Sequence, residues 1–179
     1  LEVWARDGGT AFTLVKSYPV CRLSGELGPK RKQGDLQVPE GVYRINRWNP
    51  KSRFHLSLGL DYPNKSDRIL GDPRDPGGDI FIHGGCYTTG CLPVKDGPIE
   101  ELFLMSLDAR KNGKPQEVHI FPCRMDEPAC KKELEKRMEG NSELASFWND
   151  LGKIYQRFQQ RRVQPEVKIS ARGKHLLKE

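Results

Sequence analysis

Phe54-His55-Leu56-Ser57-Leu58 alternates apolar and polar residues. A period of two predicts a strand with Phe54, Leu56 and Leu58 on one face and His55 and Ser57 on the other. Similar short runs fill the first half of the chain. Leu1 to Ala5 and Thr10 to Val15 flank Asp7-Gly8-Gly9, a hairpin-turn signal. Gly41 to Ile45 alternates after Pro39-Glu40, and Asp79 to His83 is a short apolar strand ending in a histidine. Loops rich in Gly, Pro, Asn and Asp separate these runs at 24–34, 62–66 and 71–78. A helix is predicted over about 98–111, with Asp96 as cap, Pro98 in its first turn and Gly113 at its end. Glu117 to Phe121 reads as a further strand.

After Met125 the period changes. Residues 130–138 read as helical, and 142–159 form the clearest helix, with Leu144, Phe147, Trp148, Leu151, Ile154, Tyr155 and Phe158 in one stripe. Such a stripe predicts a helix packed on the sheet. Val167 to Ser170 reads as a last strand. The fold class expected is therefore mainly β with helices (α+β). A catalytic domain is expected over 1–125, with a helical extension over 126–179 packed on it.

Composition narrows the functional classes. Hydrophobic residues make up 36% and charged residues 30% of 179 residues, an ordinary globular balance. No apolar run approaches the ~18 residues of a membrane span. The chain opens on Leu1-Glu2-Val3-Trp4, already strand-like, and carries no export signal of its own. The net charge of +6 suits an anionic polymer, but the basic residues are scattered and no nucleic-acid motif accompanies them. The partner expected is not nucleic acid.

Five cysteines stand at 21, 86, 91, 123 and 130. An odd count fits one working thiol with up to two disulfides. No pair has CxxC spacing, so neither a zinc ribbon nor a redox motif is indicated, and no metal or cofactor is expected. The segment Ile82-His83-Gly84-Gly85-Cys86-Tyr87-Thr88-Thr89-Gly90-Cys91 concentrates the chemistry. A thiol attacks only as thiolate, and a neighbouring imidazole can take its proton. His83 at a strand end is fixed in place, and a Gly-rich loop can bring Cys91 to it. Gly90 permits tight turning and frees amides for an oxyanion. The imidazole also needs an acceptor on its other nitrogen, for which the Gly84 carbonyl is the candidate. Spacing alone leaves open a strand-end histidine with buried or bridged cysteines.

The same segment resembles the active-site signature of the L,D-transpeptidase catalytic domain (YkuD-type) family, and within it the YafK-like branch. Ser17 to Cys21 with Ser24 to Lys30, Gly34-Asp35 through Pro39-Glu40-Gly41-Val42-Tyr43, Phe54 to Leu58 and Tyr62-Pro63-Asn64 follow in the family's order. So do Ile82-His83-Gly84, Gly90-Cys91, Phe121 to Met125 and Phe147-Trp148. The resemblance implies a YkuD-like fold with Cys91 as nucleophile, His83 as base, and an oxyanion site at Thr89 and Gly90. It implies peptidoglycan stem peptides as substrates, possible release of peptidoglycan-linked lipoprotein, and a place in the periplasm or cell envelope. Hydrolysis at the L-centre of diaminopimelate is the leading activity. Cross-link formation or exchange of D-amino acids is the alternative, and an inactive cell-wall-binding module is the alternative of another class.

The chain departs from the wider family at two points. Thr88-Thr89 stands where Ser-His is usual, and Pro93 where an arginine usually follows the nucleophile. Arg124 is the replacement candidate for holding a substrate carboxylate. Tyr62, His55 and Thr88 are candidates to line the cleft. Cys86 is open to a resolving role, burial or a disulfide. Cys123 with Cys130, and Cys21 with Cys86, are candidate pairs. His119 and His175 receive no role.

Overall fold

The computed structural model describes residues 1–178 and divides into two compact units. The first comprises Leu1 and residues 18–120; the second comprises 2–17 and 121–178.

The first unit is built on a five-stranded sheet. Its strands are β3 (Gly41–Ser52), β4 (His55–Leu60), β5 (Phe81–His83), β6 (Leu92–Pro93) and β7 (Glu117–Ile120), in the order β6-β5-β4-β3-β7. All pairings are antiparallel except β5 with β6, which is parallel. The hydrophobic pattern sets the register. Trp48 pairs with Leu58, Leu58 with Ile82, and Ile82 with Leu92, a row that crosses four strands on one face. Leu58 and Ile82 are buried, as are Ile99, Leu102 and Phe103 of helix α2 (Asp96–Lys111). Each fully buried side chain of this kind contributes about 1.5–3 kcal/mol.

The opposite face of this sheet is mixed, with polar residues, a glycine, Phe81 and Pro93. Arg47 pairs with Gly59 and Gly59 with Phe81; Asn49 pairs with Ser57, Ser57 with His83, and His83 with Pro93. A short helix, α1 (Lys65–Leu70), lies in a stretch read from sequence as loop at its start. Asn64 accepts from the Ser66 and Asp67 amides, and Asp67 accepts from the Asn64 amide, a reciprocal cap that closes so short a helix.

The second unit pairs a hairpin of β1 (Glu2–Ala5) and β2 (Thr13–Ser17) with α3 (Pro128–Met138), α4 (Ser142–Arg161) and a hairpin of β8 (Val167–Ile169) and β9 (His175–Leu177). The first hairpin's connection runs from 6 to 12, longer than the Asp7-Gly8-Gly9 turn expected, because β2 begins at Thr13 rather than Thr10. The stripe on α4 is real: Phe147, Trp148, Leu151, Ile154 and Tyr155 are buried. Within this unit Phe158 meets the Trp4 ring edge-on at 5.2 Å, Tyr155 meets Phe121 at 5.1 Å, and Phe147 meets His175 at 5.7 Å. None of the described helices is long and apolar enough to cross a membrane.

Candidate active site

Cys91 immediately precedes β6. The parallel register pairs Ile82 with Leu92 and His83 with Pro93. One step back, it sets Cys91 level with Phe81, two residues before His83, and two residues is one full pleat. Cys91 and His83 therefore share this mixed face, on neighbouring strands. Consistent with that level, the Phe81 amide donates to Cys91 Sγ at 3.4 Å, and the thiol reaches the Asp79 carbonyl at 3.5 Å.

The 84–91 loop is held at several points. Cys86 is bridged to Cys21, and Cys123 to Cys130, so Cys91 is the free cysteine. The Gly85 amide donates to Asp96 Oδ1 at 2.8 Å, and the Lys95 amide donates back to the Gly85 carbonyl at 3.2 Å. Asp96 was expected to cap α2. Its carboxylate is committed to the loop instead, and the helix begins without a side-chain cap. Gly84 passes so close to the β3–β4 turn that a Cβ there would lie 2.5 Å from the Phe54 carbonyl oxygen and 2.6 Å from Asp96 Oδ1. Gly90 adopts φ +101, a region that favours glycine, and its amide donates to Ser24 Oγ at 2.7 Å. Thr88 Oγ1 donates to the Cys91 carbonyl at 2.7 Å, fixing the backbone beneath the thiol.

His83 is buried, and Phe54 lies against its ring at a centroid distance of 4.6 Å. Its Nδ1 stands 2.6 Å from the Gly84 carbonyl oxygen. A carbonyl can only accept, so Nδ1 carries the proton and Nε2 the lone pair. Burial pushes the His83 pKa below the ordinary histidine value, against the opposing pull of the Gly84 bond. Burial likewise pushes the Cys91 thiol up; the Phe81 amide and Lys30 pull it down, and Asp79 adds to the rise. Both shifts favour the uncharged forms, so the resting pair is thiol and neutral imidazole.

The other residues singled out from sequence fall in varied places. Tyr62 is buried beside Tyr43 and donates its hydroxyl to the Pro76 carbonyl at 2.7 Å. His55, the first residue of β4, at φ +71, pairs with Glu100 at 2.6 Å and is exposed. Arg124 belongs to the second unit, where it pairs with Glu2 at 2.6 Å and Glu127 at 3.2 Å. His119 pairs with Glu117 at 3.1 Å. Ser24, Phe54 and Asp79 were missed as parts of the site. None carried a usable signal, since the alternating run placed Phe54 on the face away from His83. Among the described residues no group of three or more His, Cys, Asp or Glu side chains is placed to hold a metal ion.

Residues 2–120 match the YkuD family, described as the L,D-transpeptidase catalytic domain. The chain belongs to the L,D-transpeptidase catalytic-domain family. It is 34% identical over 164 residues to the Escherichia coli strain K12 protein named "Putative L,D-transpeptidase YafK", covering 90% of this chain and 63% of that one. The chain thus spans less than two thirds of the length of this curated relative. A point mutant of the helical cell shape determining protein Pgp2 from Campylobacter jejuni shares the fold. Its TM-score is 0.50 at 19% identity, covering 94% of this chain and 67% of that one. Bd1075 of Bdellovibrio bacteriovorus aligns with a TM-score of 0.48 at 22% identity, over 88% of this chain and 57% of that one.

Proposed function

We propose that this domain is a cysteine acyltransferase acting on peptidoglycan stem peptides. In this reading it cleaves an amide at the L-centre of diaminopimelate and passes the acyl group to water, as in the release of peptidoglycan-bound lipoprotein. The observation that carries the reading is the shared sheet face of Cys91 and His83, with the His83 Nδ1 proton committed to the Gly84 carbonyl. That commitment leaves Nε2 as the basic nitrogen.

The chemistry is two-step acyl transfer with no cofactor. His83 Nε2 takes the proton of Cys91, and the thiolate attacks the amide carbonyl. The oxyanion is met by amides of the 89–91 turn. The Gly90 amide is engaged with Ser24 Oγ, so Thr89 and Cys91 are the preferred donors in this reading. Collapse expels the amine with the proton held by His83 and leaves a thioester. Water, deprotonated by His83, attacks the thioester; the acid leaves and the thiol is restored. His55 and Arg124, both exposed, are candidates for contact with substrate outside the reacting centre, whereas Thr88 positions the nucleophile's backbone. Tyr62 contributes packing beside Tyr43. The two disulfides support an oxidising compartment such as the cell envelope.

A second reading, with an amine as acceptor, is favoured by the transpeptidase name of the E. coli relative. Mass spectrometry of peptidoglycan fragments carrying linked lipoprotein peptide, after incubation with wild type and Cys91→Ala, separates the two. Loss of the diaminopimelate–lysine link with wild type alone is the expected result. New diaminopimelate–diaminopimelate links or exchanged terminal D-amino acids would favour the amine reading.

A further inference from the structure

The row that ends at Cys91 begins at an arginine. Arg47 pairs with Gly59, Gly59 with Phe81, and the register continues to Cys91, so the four residues cross four adjacent strands on one face. Gly59 makes the row passable. A Cβ there would lie 3.0 Å from Arg47 Cβ and Nε and 3.1 Å from the Phe81 ring. With that space empty, Arg47 extends across β4 and sets its guanidinium 4.7 Å from the centre of the Phe81 ring. Strands lie about 4.8 Å apart, so the guanidinium stands within roughly 5–10 Å of the column that holds Cys91.

Arg47 lines an open surface groove of about 410 Å³ with Asn46, Trp48, Asn49, Phe81 and Arg110. Arg110 stacks over Trp48 at 4.3 Å, so two guanidinium groups line the groove. The carboxylate paired with Arg47 is that of Asp79, at 3.0 Å, and the side chains are 48% and 81% exposed. An exposed pair of this kind is worth about 0–1 kcal/mol and is readily exchanged for another carboxylate. Arg47 approaches Cys91 from the neighbouring strands, along the register row through Gly59 and Phe81.

We propose that Arg47 is the specificity residue that binds a substrate carboxylate within roughly 10 Å of the attacked carbonyl, in the surface groove beside Phe81. The inference rests on the stem-peptide reading for its ligand. The side-chain carboxylate of diaminopimelate lies six skeletal bonds from the L-centre carbonyl, a reach of roughly 7 Å. The planar fork suits such an acceptor, and the aromatic face beneath holds it in plane.

The test is calorimetric binding to Cys91→Ala, which needs no turnover, so it stands even if the proposed reaction fails. The probes are two stem peptides identical except that the diaminopimelate side chain ends in a free carboxylate or a carboxamide. The free acid should bind about tenfold or more tightly than the amide. Adding Arg47→Gln, which keeps a stem over Phe81 without the charge, should erase that preference. Arg47→Lys should restore it only in part. In the wild-type background Arg47→Gln should raise KM for the free acid and leave kcat and the rate of Cys91 alkylation by iodoacetamide unchanged. No preference in Cys91→Ala, or a preference that survives Arg47→Gln, would overturn the assignment.

Discussion

At the scale of single residues the site is a neutral pair waiting to be polarised. Burial holds His83 below its ordinary value of 6.5 and Cys91 above its ordinary value of 9.0. A general base must be unprotonated, so the acid limb of the kcat/KM profile should have its midpoint below 6.5. A limb at or above 6.5 would show the imidazole to be more solvated than the fold indicates. The same depression bears on stability. Because the folded chain binds this proton less readily than the unfolded one, the contribution is full above 6.5 and is lost as pH falls through the folded pKa. His83→Ala should cost at least ~10² in rate while leaving the thiol alkylatable. Cys91 and His83 were singled out by family resemblance, since spacing within the segment left them open, and the Gly84 carbonyl expected beside the imidazole is found there. The sequence could not name Phe54, Ser24 or Asp79, which reach the pair only through the turn between β3 and β4, the loop before β3, and the strand register.

At the scale of elements, alternation was the reliable guide where one face was greasy. The Phe54 to Leu58 pattern put Ser57 on the polar face, where it sits beside His83. It failed at the start of the run: Phe54, expected on the Leu58 face, lies in the turn against His83, and His55, at positive φ, pairs with Glu100. Two elements had no hydrophobic signature to reveal them. Strand β6 is two residues long, and α1 is six, with buried Ser66 and Asp67 in place of an apolar stripe. Helix α1 rests on its cap instead. Asn64 accepts two amides and donates to the Val42 carbonyl at 3.0 Å. Asn64→Ala should therefore lower stability by about 1–2 kcal/mol, read as a shifted midpoint in urea at an unchanged slope.

At the scale of the whole molecule, each unit carries one disulfide, Cys21–Cys86 in the first and Cys123–Cys130 in the second. The first spans 65 residues, and in the chain-entropy account closing so long a loop contributes about 4 kcal/mol. Removing it with Cys21→Ser and Cys86→Ser together should lower the unfolding free energy by an amount of that order, measured in denaturant without reductant. A smaller loss would mean that the hydrogen bonds at Gly85 and Gly90 hold the loop largely unaided. The bridge has a second consequence, in how the thiols compete. Cys86 lies five residues before Cys91 in the same loop, the nearest sulfur in sequence with which Cys91 could oxidise. Pairing Cys86 with Cys21 takes that rival out of circulation, so an oxidant that seals the fold spares the Cys91 sulfur. Cys21→Ser alone would release the rival. That variant should lose activity under mild oxidant that wild type withstands, and should recover it on reduction.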